Sequence, residues 1–97
     1  MKMIIGNKVT SKIEKNPSIQ KKVIHILNQI NCYESFSDAV NTMKLHLINS
    51  PQFNYYVARI NFDTRLLLTY DLKENACFVV DIVHHKDLKK SGKHPEN

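Results

Sequence analysis

Apolar residues recur at helical spacing in the first half of this chain and at a period of two in the second. Ile19, Val23, Ile26, Leu27 and Ile30 fall on one side of a helix, with Lys21, Lys22 and His25 turned away from that stripe. Ahead of it, Val9 and Ile13 stand four apart within Lys8 to Lys15, one apolar side of a shorter helix. Asn16-Pro17 ends the first helix and starts the second, because Asn caps a helix N-terminus and Pro is preorganised for its first position. The two form a helical hairpin, preceded by a short strand over Met3 to Ile5. A polar connection from Asn31 to Ser35 leads to a second start signal, Ser37-Asp38. The stripe Phe36, Val40, Met43 and Leu47 then predicts a third helix that ends at Ser50-Pro51.

From Tyr55 onward β-branched and aromatic residues alternate with polar ones, which predicts strands over Tyr55 to Asn61, Arg65 to Asp71 and Ala76 to His84. Their connections are too short for crossover helices, so the three form an antiparallel meander. Helices first and sheet second give an α+β domain with helices on one face of a small antiparallel sheet. Polar markers set the facing: Arg59, Arg65, Thr69 and Asp81 avoid the covered side. Tyr56, Ala58, Ile60, Leu66, Leu68, Tyr70, Phe78, Val80 and Ile82 are then core positions, and odd positions from Arg59 to His85 are open. This parity requires odd loops, for which Asn61 to Asp63 and Lys73 to Asn75 qualify, with Asn75 accepting a left-handed backbone.

Ninety-seven residues are enough for one core and one domain, expected over residues 1–90, with a flexible polar tail over 91–97. The balance of 14 Lys and Arg against nine Asp and Glu leaves a net charge of +5, and the pI is about 9.3. That excess suits nucleic acid or an acidic protein partner. Cys32 and Cys77 stand apart without a C-x-x-C neighbour, so reduced thiols are expected rather than a disulfide framework or a zinc knuckle. The opening apolar run is too short for a signal peptide, and no stretch nears the roughly 20 apolar residues of a membrane span. A cytoplasmic protein with no membrane association is the expectation.

Candidate chemistry gathers where the last strand ends, at His84-His85-Lys86. A strand end hands side chains from a rigid sheet to the surface, and imidazole beside cations suits acid-base work on a phosphodiester. With the loop lengths above, Arg59 lies directly opposite Arg65, and His85 is diagonal to Arg65. Two facing cations are unfavourable unless an anion or a carboxylate sits between them. A bound phosphate would satisfy them, and so would Asp81 or Asp63; the pattern leaves both open. Adjacent strand residues point to opposite faces, so His84 and His85 do not converge on one metal, and no metal or other cofactor is expected. His25, His46 and His94 have no comparable company. Gly6 and Gly92 form no phosphate-binding loop.

The order of these segments resembles the RelE/ParE toxin superfamily, and most closely the HigB-type messenger-RNA interferases of bacterial type II toxin-antitoxin systems. The resemblance spans nearly the whole chain. Met3 to Pro17 looks like the strand and lysine-rich helix that open such toxins, and Asn41 to His46 occupies the segment before the sheet. Tyr55 to Ile60 and Arg65 to Leu68 look like the central strands, and Cys77 to Leu88 like the terminal strand with its histidine-lysine ending. The resemblance implies a RelE-like fold and a ribosome-dependent mRNA endonuclease without a metal. Its partners would be mRNA, the ribosome and a small HigA-like helix-turn-helix antitoxin. Carried over, His85 is the general acid or base and Arg65 the main phosphate clamp. Arg59, Lys86 and His84 then contact RNA phosphate. Leu88 departs from the pattern, standing where an aromatic is common. Related ParE-type toxins, which poison DNA gyrase without a catalytic histidine, give the alternative reading, and a degenerate homologue that only binds a partner gives another.

Overall fold

The computed structural model describes residues 1–49, 51 and 54–88. Strand β1 (Lys2–Ile5) leads into helix α1 (Asn7–Lys15), a single 3₁₀ turn (Pro17–Ile19), and helices α2 (Gln20–Cys32) and α3 (Phe36–Met43). Strands β2 (His46–Asn49), β3 (Asn54–Arg59), β4 (Thr64–Asp71) and β5 (Ala76–His84) follow. They form one mixed sheet in the order β1-β5-β4-β3-β2. The expected α+β class and the predicted helices α1 and α2 are present, and the β3-β4-β5 meander is antiparallel as expected. The sheet as a whole is not antiparallel, because β1 lies parallel to β5, pairing Lys2 with Ala76 through Ile5 with Val79. A parallel neighbour needs a long connection, and the helical layer together with β2, β3 and β4 supplies it.

The helical layer rests on the predicted stripes. Val9, Ile19, Val23, Ile26, Leu27 and Ile30 are all buried and share one cluster with Ala58, Ile60, Leu66 and Leu68 from the sheet. Helix α3 departs from expectation at its C-terminus. It stops at Met43, where Lys44 takes a left-handed backbone at φ 58°, and the Leu45 N–H donates to Val40 O at 3.0 Å. The reversal places Leu45 in the core and sends His46–Asn49 into edge strand β2, so Leu47 is 43% exposed rather than part of a helical stripe. Ser35 caps α3, its hydroxyl accepting from the Asp38 N–H at 3.1 Å, two residues ahead of the expected start. Phe36 fastens α3 to the sheet, edge-on to Tyr56 at 5.0 Å between centroids and stacked on Tyr70 at 4.6 Å.

The predicted facing holds on β3 and β4 and fails on half of β5. Leu66 pairs with Ile82 and Leu67 with Asp81, but Leu68 pairs with Val79, so Val80 is an extra residue on β5. Such a bulge inverts parity on one side of itself. Cys77 and Val79 therefore enter the core, at 0% and 1% exposure, in place of the expected Phe78 and Val80, which are only half buried. Of the expected hairpin loops, Asn61 to Asp63 is present, closed by Ile60 N–H to Thr64 O at 3.0 Å. The other has four residues, since Asp71 pairs with Ala76, and Asn75 takes the left-handed backbone at φ 50°.

Leu68 is fully buried and Leu72 is 82% exposed. Leu68→Ala is expected to cost about 3 kcal/mol in urea unfolding, through lost transfer energy and a cavity, and Leu72→Ala to stay within about 0.5 kcal/mol. Burial pushes the Cys77 thiol up to about 11. A pKa raised in the folded state gives stability that is whole below the unfolded value near 9 and is lost as pH rises through the folded one. Thermal midpoints measured from pH 8 to pH 11.5 are expected to fall more steeply for the native chain than for Cys77→Ala.

Candidate functional site

The candidate residues gather at one end of the sheet, where the β3-β4 loop meets the end of β5. The loop is held by its own first residue: Asn61 Oδ1 accepts from the N–H groups of Asp63 and Thr64, both at 3.0 Å. Arg59, the last residue of β3, is directly paired with Arg65 near the start of β4. Arg65 is braced over the loop, its Nη1 donating to Asn61 O at 2.7 Å and to Phe62 O and Thr64 O at 3.2 Å. A guanidinium fixed by carbonyls keeps its charge while losing rotamer freedom. Arg59 is exposed, and among the described residues its side chain has no hydrogen bond or ion pair.

On the facing strand, His84 pairs with Thr64, and the His85 N–H continues the ladder to Asp63 O at 2.6 Å. Residues 85–88 then turn helical, so strand alternation no longer fixes the direction of the His85 side chain. The same turn brings the Lys86 N–H to His84 Nδ1 at 3.1 Å. A neutral imidazole that accepts at Nδ1 carries its proton at Nε2, so His84 presents an N–H outward. His84, His85 and Lys86 are exposed, while Leu88 is half buried. His94 and the tail over 91–97 lie outside the described residues.

The two open alternatives for the arginine pair part here. The Asp81 carboxylate is engaged by Lys12 of α1 at 2.8 Å, and the same Nζ donates to Ile82 O at 2.7 Å. The physical reason lies in strand lengths. β1 ends at Ile5, so β5 beyond Val79 has no strand on that side, and α1 crosses there instead, starting from Gly6, whose N–H donates to Val79 O at 3.0 Å. A Cβ on Gly6 would meet that oxygen at 3.2 Å, so a side chain here would require the crossing to give by a few tenths of an ångström. Lys12 satisfies the carbonyl of the uncovered edge and takes Asp81 with it. Among the described residues the ion pairs are Lys12–Asp81 and Lys2–Glu74, and neither arginine is in them.

Two concavities bear on the question, one at the opposite end of the sheet and one at this end. A cleft of about 810 Å³ lies over the open face, walled by Tyr55, Thr69, Asp71, Phe78 and Val80, and none of the candidate residues lines it. A smaller one of about 390 Å³ lies between α2 and the end of β3, where Lys21, Lys22 and His25 meet Arg59 above Ile26 and Ile60. His25 therefore does have cationic company, contrary to expectation. The spacing of Lys21 and His25, four apart on one helical side, was the only trace of this in the sequence. Among the described residues no group of three His, Cys, Asp or Glu is placed to hold a metal ion, and no helix is long and apolar enough to cross a membrane. No protein-family model matches the chain, and no curated protein matches it in sequence.

Removing the α1 clamp is expected to be felt at the site. Lys12→Met should lower stability in urea unfolding by about 1 kcal/mol, because it takes the donor from the Ile82 carbonyl and leaves the Asp81 carboxylate with only the Ile82 N–H. A loss below about 0.3 kcal/mol would mean that water replaces Lys12 without cost.

Proposed function

We propose that this chain is a toxin with a RelE-like fold, nearest to the HigB type, that cleaves mRNA on the ribosome and is restrained by a small antitoxin protein. The observation that carries this reading is the Arg59–Arg65 pair, set side by side against the end of β5 and its His84-His85-Lys86 ending. Like charges directly opposed on a sheet are unfavourable, and a phosphodiester is the ligand that turns the pair to advantage. The order of elements, helices before a meander whose last strand carries the imidazoles, agrees with it.

In the proposed reaction the ribose 2′-hydroxyl attacks the neighbouring phosphorus. The O2′–P bond forms, the P–O5′ bond breaks, and the products are a 2′,3′-cyclic phosphate and a 5′-hydroxyl. One group removes the 2′ proton and another returns a proton to O5′, while the phosphorane carries extra negative charge between them. His85 is assigned one of these proton transfers. Arg65, already fixed by the loop carbonyls, clamps a non-bridging oxygen without losing freedom on binding. Arg59 and Lys86 add positive potential, and the outward Nε2–H of His84 donates to phosphate. Leu88 brings no phenol, so the transfer that His85 does not make falls to water. No cofactor enters this scheme.

The test is cleavage of a translated mRNA on ribosomes by the purified chain. His85→Ala is expected to slow cleavage by ~10²-fold or more, the usual worth of a positioned acid or base, and Lys86→Ala by about tenfold, roughly one charge-assisted contact. Equal cleavage by His85→Ala and the native chain would remove His85 from the chemistry. Absence of cleavage together with inhibition of DNA supercoiling would replace this reading with the gyrase-directed one.

A further inference from the structure

We propose that the concavity between α2 and the end of β3 binds one nucleotide unit of single-stranded RNA. Lys21, Lys22 and Arg59 hold its phosphate, and its base lies against His25 and the Ile26–Ile60 floor. The proposal rests on the reading of the chain as an RNA-cleaving protein and names where the strand runs beyond the reacting phosphate.

Four observations carry it. The charges come from elements far apart in sequence, α2 and β3, and meet around one space of about 390 Å³. That volume lies within the range of small-ligand clefts, roughly 300–1,000 Å³, and a nucleotide fits it where a folded segment does not. Among the described residues Lys21, Lys22, His25 and Arg59 form no ion pair, and the first turn of α2 has no acidic residue to offset the lysines. Lysines in a first turn also oppose the helix dipole, so the cluster costs stability without a bound anion. The floor is apolar, with Ile26 at 8% and Ile60 at 5% exposure, and an imidazole at the rim can stack on a base as it would not on a carboxylate-rich peptide. Arg59 is shared by this concavity and the Arg59–Arg65 pair, so a phosphodiester chain leaving that pair passes directly into it. Single-stranded RNA has this alternation of charge and flat apolar surface along its length.

The experiment is a titration of the full, isotope-labelled chain, followed through its backbone amide resonances. The probes are a 2′-O-methyl tetraribonucleotide, which cannot be cleaved, 5′-adenosine monophosphate, and a glutamate-rich peptide of matched charge. The tetranucleotide is expected to shift the amides of His25, Gln29, Arg59 and Ile60, with a Kd about tenfold higher in the Lys21→Ala, Lys22→Ala double variant, roughly the loss of one charge-assisted contact. Both lysines are exposed, and retention of the native amide spectrum verifies the fold. The affinity is expected to fall with salt, less steeply in the double variant. Unchanged affinity in that variant, or shifts confined to the His84–Lys86 end, would overturn the proposal. Adenosine monophosphate binding as tightly as the tetranucleotide would overturn it in favour of a free-nucleotide site, and tighter binding of the peptide in favour of an acidic protein partner. The readout is binding alone. RNA bound here without cleavage on ribosomes would therefore sink the enzymatic reading and leave this one standing.

Discussion

The pairing of β5 on its two sides is the constraint on which the rest of the structure depends. Toward β4 it takes one extra residue at Val80, and toward β1 it is covered only as far as Val79. The bulge lets one strand present Cys77 and Val79 to the core and still return Ile82 to the same core one residue late. Without it, a strand keeping Cys77 inside would turn Ile82 outward and reverse the side chains that follow. The missing strand contact is made good by Lys12, which bridges to Ile82 O and Asp81 from a helix. The bulge thus sets the core and the direction from which β5 reaches His84, and the end of β1 sets the seat of α1.

Engaging Asp81 has an electrostatic consequence. On the open face Asp81 sits opposite Leu67, diagonal to Arg65, where its carboxylate would otherwise be the nearest neutralising group on that strand. Lys12 holds it to the α1 side, and Arg65 is held by carbonyls of its own loop, which neutralise no charge. Positive potential therefore persists around Arg59, Arg65 and Lys86, and continues past Arg59 to Lys21 and Lys22 of α2. Its persistence over two elements is the physical ground for reading this end of the molecule as a surface for a polyanion.

Much of this was legible in the sequence, because period and polarity report directly on which side of an element is buried. The α2 stripe from Ile19 to Ile30, the three meander strands, the left-handed Asn75 and the Arg59–Arg65 opposition all follow from local spacing. Phe78 and Val80 were misplaced because a bulge has no mark in a run of β-branched residues, where every position looks fit for the core. The end of α3 was missed because the left-handed residue there is Lys44, not a glycine, so nothing announced the stop.

The sequence by itself determined the class of the fold, the buried sides of its helices and the residues that could carry chemistry. These depend on interactions within a few residues, which a one-dimensional pattern records. Only the tertiary structure decided that β1 runs parallel at the edge of β5, that Lys12 rather than an arginine takes Asp81, and that Lys21, Lys22 and His25 stand beside Arg59. Each of these joins residues more than thirty positions apart. Such contacts arise from how whole elements pack, and no spacing along the chain encodes them.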